Sequence, residues 1–291
     1  MKRSSSASSA SFPRRKLALL LLVVASALCG RAEEWAPNIT LTAGWQSNAT
    51  NAHLDSDQVD SLQVMADGVA SHRYAFGTAD SLHLTGHLAA EWWPRYEGLQ
   101  TGAIGARTEW RHKFGLGAMA PVLSAEIAGD LIAAKEEGRR GSRLGFTVAF
   151  QKRFNDVTRV TVAHELAQRY ARVAVFDHEA NETSLTLDRD FGSLKRLTFS
   201  VHHRDGEVVS YATPPRPDLV ALASSRVEVD TFDRPMVAYS IDARTWRARV
   251  AFARALDEHS AIVGAYEWRN TERKPLRYVN HLVSIALVHQ F

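Results

Sequence analysis

Charged side chains recur at every second position in this 291-residue chain. Arg107, Glu109, Arg111 and Lys113 form such a set, while Glu126 with Asp130 and Arg143 with Arg153 keep the same parity at wider, even spacings. Even spacing places each set on one face of an extended strand. Such a face can do one of two things. Lining a hydrated interior, it selects the ions that pass, and the excess of arginine favours anions. Packed into a narrow interior, the same groups pair with one another and hold strands together. Arg159, Glu165, Asp188, Arg196, Arg204, Arg244, Arg249, Glu267 and Arg269 carry the same inward expectation.

Other chemistry is thinly represented. His164-Glu165, His178-Glu179 and His202-His203 are the nearest acid–base material. Neighbours in a strand point to opposite faces, so His202 and His203 cannot share a ligand. His83 and His87 share a face but lie about 13 Å apart along a strand. Asp55-Ser56-Asp57 with Asp60 lacks the glycine and distal glutamate of a calcium-binding EF-hand loop and reads as a solvated loop. No glycine loop suited to phosphate is present. The expectation is therefore no metal, no cofactor and no catalytic residue assignable from sequence.

The elements that must position these residues alternate from end to end. In about 38–47, Ile39, Leu41, Ala43 and Trp45 oppose Thr40, Thr42, Gly44 and Gln46. A second strand, about 59–72, turns Leu62, Val64 and Ala66 outward. In 81–93, Leu82, Leu84, Leu88, Ala90 and Trp92 oppose His83, Thr85, His87 and Glu91. In 101–114, Ile104, Ala106, Thr108, Trp110 and Phe114 oppose the Arg107 set. The next two, 121–133 and 142–154, set Leu123, Ile127, Leu131, Leu144, Phe146, Val148 and Phe150 against Glu126, Asp130, Arg143 and Arg153. Further strands are expected at about 158–170, 183–191, 195–204, within 236–255, at 260–269 and at 278–291. Residues 48–58 and 205–235 read as long exposed loops, the latter because Pro214, Pro215 and Pro217 exclude a central strand.

Connections alternate between long and short, and twelve strands return the chain to the side on which it began. The longer segments are 48–58, 94–100, 134–141, 171–180, 205–235 and 270–277; the shorter are 77–80, 115–120, 155–156, 192–194 and 256–259. Aromatic residues gather at strand ends. Trp45, Trp92 and Trp268 mark one rim; Phe114, Phe154 and Phe291 mark the other, as amphipathic rings do at membrane interfaces. In the last strand Val279, Val283, Ile285, Leu287 and Phe291 share a face. A closing strand that ends on phenylalanine resembles those of bacterial outer-membrane β-barrel proteins, porin-like and of about twelve strands. That resemblance implies outer-membrane lipid around the chain and a barrel-insertion machinery that engages the strand ending in Phe291. Twelve-stranded barrels include an outer-membrane phospholipase, but its His-x-Ser-Asn-Gly run does not occur here.

The N-terminus reads as a secretory signal. Lys2, Arg3, Arg14, Arg15 and Lys16 precede the apolar run 17–28, which is too short for a span of about twenty residues. Gly30-Arg31-Ala32 places cleavage after Ala32, giving a signal peptide at 1–32 and a barrel domain at 33–291. Six of the 35 basic residues precede that cut, which leaves 29 against 32 acidic. The net positive charge thus belongs to the signal, and nucleic acid is not an expected partner. Cys29, the single cysteine, lies within the signal, so disulfides and thiolate chemistry are excluded from the mature chain.

The expected fold is all-β: one up-and-down antiparallel transmembrane β-barrel of about twelve strands. The expected function is a narrow, weakly anion-preferring pore for small polar solutes. Two alternatives stand beside it: a filled barrel acting through its extracellular loops in adhesion, envelope architecture or export, and a membrane-embedded hydrolase.

Overall fold

The computed structural model describes residues 35–192 and 194–291; the signal reading, Cys29 and cleavage after Ala32 lie outside the described residues. Thirteen strands account for most of the chain: β1 Ala36–Gln46, β2 Ser61–Phe76, β3 Asp80–Trp92, β4 Thr101–Lys113, β5 Val122–Ala134, β6 Gly141–Arg153, β7 Thr158–Ala171, β8 His178–Phe191, β9 Lys195–Ala212, β10 Ala223–Val229, β11 Met236–Ala255, β12 Ser260–Arg273 and β13 Leu276–Gln290. All pairings are antiparallel between neighbours.

Twelve of these strands close a ring. β1 pairs with β13 from Asn38↔Gln290 to Gln46↔Leu282, and β9 pairs with β11 from Ala212↔Val237 to Lys195↔Arg254. Closure leaves no strand edge in the ring, which is what allows a backbone of strands to sit in lipid. β10 stands outside the ring, paired only with the top of β11 from Ala223↔Ile241 to Val229↔Met236.

The outer wall is apolar because the expected alternation is realised. Leu41, Ile104, Ile127, Leu131, Leu144, Phe146, Val162, Leu166, Leu185, Phe199, Phe252 and Ile285 are all exposed on it. A patch this large and continuous is stable against hydrocarbon, not against water.

Several boundaries differ from the sequence reading, and each difference has a physical reason. β9 runs to Ala212, eight residues past its expected end, and β11 begins at Met236. Together they form an arm that rises beyond β8 and β12. The segment expected to be one long exposed loop therefore contains the top of β9, a one-turn helix Pro217–Val220 and β10; the three prolines fall outside its strands. The expected connection 270–277 shrinks to Lys274-Pro275, because Thr271 to Arg273 stay paired with Leu276 to Tyr278. Arg244, expected to point inward, lies on the outer face with Trp246. It is exposed and pairs with Asp205 at 3.0 Å. Within the ring, from Thr245 onward, the inward residues of β11 are the odd-numbered ones, among them Arg247 and Arg249.

Buried packing concentrates at one end of the barrel, among the connections β1–β2, β3–β4, β5–β6 and β7–β8 and the β9–β11 arm. One cluster joins Trp93, Tyr96 and Leu99 with Val175, Phe176, Tyr211, Phe232, Met236 and Ala238. A second joins Ala212, Leu219, Val237, Tyr239, Ile241 and Leu276 on the other side of the arm.

Candidate functional site: an arginine-lined chamber beneath a packed roof

The first cluster draws on connections all around the ring, so it spans the mouth as a roof. Its contacts are specific. Residues 48–58 were expected to be an exposed loop; instead Asn48, Thr50 and Ala52 are fully buried and Asp57 is 3% exposed. Their polar groups are satisfied locally, which is what makes burial of a polar loop tolerable. Asn48 Oδ1 accepts from the Ala52 N–H (2.9 Å) and the Thr50 hydroxyl (3.0 Å), while the Asn280 amide donates to the Asn48 carbonyl (3.0 Å). The loop then crosses to the free edge of the β9 arm, where the Tyr211 N–H donates to the Thr50 carbonyl at 2.9 Å.

A charged clamp fastens this crossing. Arg216 Nη1 donates to Asp57 Oδ2 at 3.2 Å, with both side chains at most 7% exposed. The Thr213 N–H donates to the other Asp57 oxygen at 3.2 Å, and Arg234 donates to the Asp57 carbonyl at 3.0 Å. Arg216 also forks onto Asp218 at 2.9 and 2.7 Å and holds that carboxyl down to about 2. Nearby, burial pushes the Glu136 carboxyl up, opposed by the Thr231 hydroxyl that donates to it at 3.0 Å.

Beneath the roof lies a chamber of about 780 Å³. Seven arginines line it (Arg107, Arg139, Arg143, Arg169, Arg204, Arg247 and Arg269) against five carboxylates (Glu91, Asp130, Glu165, Glu182 and Glu207), with His87 and His178 between them. The strands supply these from their inward positions, and Arg139 enters from the β5–β6 connection.

Part of this charge is paired. Arg143 meets Glu165 at 2.5 Å, Arg269 meets Glu267 at 2.6 Å, and Glu182 takes both Arg247 (2.5 Å) and His202 (2.7 Å). His87 reaches Asp130 at 3.2 Å across β4. The two are in register on either side of Gly105, and a Cβ there would lie 2.1 Å from the Asp130 carboxylate and 2.6 Å from the His87 ring. Glycine is what lets the pair bridge over the strand.

The sequence-predicted residues distribute along this interior. Arg107, Asp130 and Arg143 line the chamber. Glu109 and Arg111 share the Arg107 face of β4 and pair with each other at 2.7 Å; Lys113 follows at the end of that strand. Glu126 registers with Glu109 across β4 and β5. Arg153 closes β6 opposite Arg159, which pairs with Asp188 at 2.6 Å. Of the aromatics, Trp45, Trp92, Phe114, Phe154 and Phe291 are exposed, and Trp268 lies on the outward parity of β12 beside Tyr266. The Phe291 N–H donates to the Pro37 carbonyl at 3.1 Å, completing the β13–β1 seam.

Sequence reasoning missed Arg139, Arg169 and Arg247 and named His178 only as acid–base material, without placing it in the interior. Arg169 had a usable signal, since it shares parity with Arg159 and Glu165. Arg139 and His178 had none, because they fall where loops were expected.

One further arrangement has the order of a hydrolytic triad. Ser200 Oγ lies 3.2 Å from His202 Nε2, whose Nδ1 lies 2.7 Å from Glu182. Ser200 is only 6% exposed and Glu182 is shared with Arg247. The trio joins β8 and β9 as a part-buried hydrogen-bond chain, and Arg247 ties it to β11.

Closed ring, apolar outer wall and charged interior together define a transmembrane β-barrel of the outer-membrane type. Solved structures share the fold. An outer-membrane channel from Pseudomonas putida F1 superimposes with a TM-score of 0.54 at 10% identity, covering 88% of this chain and 96% of that one. The NanC porin gives 0.48 at 6% identity over 87% and 100%, and the translocator domain of the autotransporter NalP from Neisseria meningitidis gives 0.43 at 9% over 95% of each. No protein-family model matches the chain, and no curated protein does. Identities this low speak to the fold alone, so function has to be argued from the interior.

Proposed function

We propose that this chain is a channel of the bacterial outer membrane, with a narrow lumen that favours small polar anions and a roof that holds it closed on the extracellular side. The chamber carries the reading: a barrel that served only as a scaffold has no need of a hydrated, arginine-rich volume of about 780 Å³ beneath its roof. Charges of both signs stay solvated there, whereas on the lipid face each would cost about 2–4 kcal/mol at mid-depth. The orientation follows from the connections, with the long ones and the arm outside and the chain ends at the periplasm.

Planar-bilayer conductance of the folded protein tests the proposal, with folding checked by a heat-dependent gel shift. Brief, discrete openings with a reversal potential on the anion side are expected, and longer openings in Asp57→Ala. Silence in both the wild-type protein and the Asp57→Ala variant would overturn the channel reading and leave the loop-borne roof as the working surface.

A further inference from the structure

Within the chamber, the pairing of charges is uneven. Arg143 and Arg169 stand directly opposite each other on β6 and β7, and Arg169 registers with His178 on β8. Like charges in directly opposed positions destabilise a sheet unless something intervenes. Glu165 relieves Arg143. Glu182 is committed to Arg247 and His202 and Asp130 to His87, while Glu91, Glu136 and Asp177 act on Arg139 and Arg169 only from beyond 4.0 Å.

Arg107, which is exposed on β4, is left over, and so is the group of three, Arg139, Arg169 and Arg204. Among the described residues none of the three has a carboxylate oxygen within 4.0 Å. What they touch is neutral. Arg169 donates to the Arg139 carbonyl at 2.7 Å, Arg204 to the Glu207 carbonyl at 3.0 Å, and Arg139 to the Tyr211 hydroxyl at 2.9 Å. The Nε atoms of Arg139 and Arg169 are buried with no partner in the chain. All three guanidiniums face the same chamber, with His178 among them.

Partly desolvated charges without counter-charges are costly, and a fitting anion offsets that cost. The planar fork of arginine matches carboxylate and phosphate oxygens two at a time. Three forks reach this space from separate elements (the β5–β6 connection, β7 and β9), and together they offer about six donors where a lone carboxylate has about four acceptor sites. The volume is in the range of small-molecule pockets, about 300–1,000 Å³.

We propose that Arg139, Arg169 and Arg204 form a binding site, directly under the roof, for a small oligoanion carrying at least two carboxylate or phosphate groups. The inference rests on the channel reading for the route by which that anion arrives and leaves. It also gives the roof a reason to sit where it does. Arg139 is tied to the roof residues Tyr211 and Phe176, the latter stacked under its guanidinium at 5.3 Å. An anion that draws Arg139 downward competes with those contacts.

Isothermal titration calorimetry on the folded protein extracted in detergent tests the site with citrate, pyrophosphate and acetate at low salt. Citrate or pyrophosphate is expected to bind saturably and at least tenfold tighter than acetate, and whichever binds tighter assigns the anionic group. Arg169→Gln and Arg204→Gln, with the gel shift retained, should each weaken that binding at least tenfold. Arg273→Gln, on the outer rim, should leave it unchanged. The proposal is overturned if neither oligoanion binds in the wild-type protein or in Asp57→Ala, where the roof no longer bars access. Equal affinity for acetate, or binding untouched by both glutamine variants, overturns it as well. Because calorimetry does not need conduction, binding without conductance refutes the channel and keeps the site; conductance without binding does the reverse.

Discussion

The two ends of this barrel obey different rules. At the roof, Tyr96, Val175, Tyr211, Met236 and Ala238 are at most 3% exposed and pack as a soluble protein's core does. Below it, Arg111, Arg143 and Arg196 keep 46% of their side chains exposed although they lie inside the ring. One end is therefore stabilised by exclusion of water and the other by its presence. Strands hold the wall in both regions, and the roof is built from the connections and the arm. On the proposed channel reading, gating falls to the connections and arm, and selectivity to the strands.

The largest expected effect comes from breaking the roof at the buried Asp57–Arg216 pair. Asp57→Ala removes two hydrogen bonds to a charged acceptor, from Arg216 and from the Thr213 N–H, and leaves Arg216 only the half-exposed Asp218, at a cost of about 3–5 kcal/mol to the roofed arrangement. That corresponds to a shift of about a hundredfold or more toward the open state. Single-channel open probability should rise steeply, while the heat-dependent gel shift of the ring stays as in the wild-type protein. A variant that loses the gel shift together with the roof would show that the two regions are not separable. Tyr96→Ala sharpens the same point through packing. Truncating a buried aromatic costs about 3–5 kcal/mol, part of it recovered as the loops collapse, so open probability should rise by less than in Asp57→Ala.

The wall was legible in the sequence and the roof was not. Strand order, inward faces and rim aromatics follow from period-two alternation, as in Ile104 to Phe114 against Arg107 to Lys113. That signal is repeated a dozen times and needs no partner to be read. The roof depends on contacts between segments far apart in sequence, such as Asp57 with Arg216 and Thr50 with Tyr211. Nothing local distinguishes a polar loop that is solvated from one whose Asn48 and Thr50 satisfy each other in the interior. Arg244 was misplaced because β11 has arginines at both parities, and only its pairing with Asp205 and Glu272 decides which of them point inward.

Within the strands the comparison sharpens to two arginines on one face of β4. Arg107 lines the chamber and, among the described residues, has no carboxylate oxygen within 4.0 Å to offset its charge. Arg111 lies two alternations nearer the periplasm, in the hydrated end, beside Glu109. Removing a charge shifts ion preference more where screening is weaker. Arg107→Ala should lower the anion-to-cation permeability ratio by about two- to tenfold, read as a shift in reversal potential across a salt gradient. Arg111→Ala should shift it in the same direction by less. Equal shifts would mean that no constriction exists at the level of Arg107.

The smallest effect is a dependence of the roof on acid. Arg216 holds the Asp218 carboxyl at about 2, below its ordinary 3.8, with burial working against it. A carboxylate depressed on folding stabilises the roof above its unfolded value, and that contribution disappears as pH falls from about 4 through about 2. The Asp218 side chain is 42% exposed, so solvent screening keeps the contribution near the roughly 0–1 kcal/mol of surface pairs. Open probability should therefore rise only modestly between about pH 5 and about pH 2.5. Other carboxylates titrate over the same interval, so the informative quantity is the difference from Asp218→Asn, which cannot ionise at that position. A wild-type profile steeper in acid than the variant's places the Arg216 clamp in control of the roof. Superimposable profiles would leave the buried Asp57 side of the clamp as the part that holds it shut.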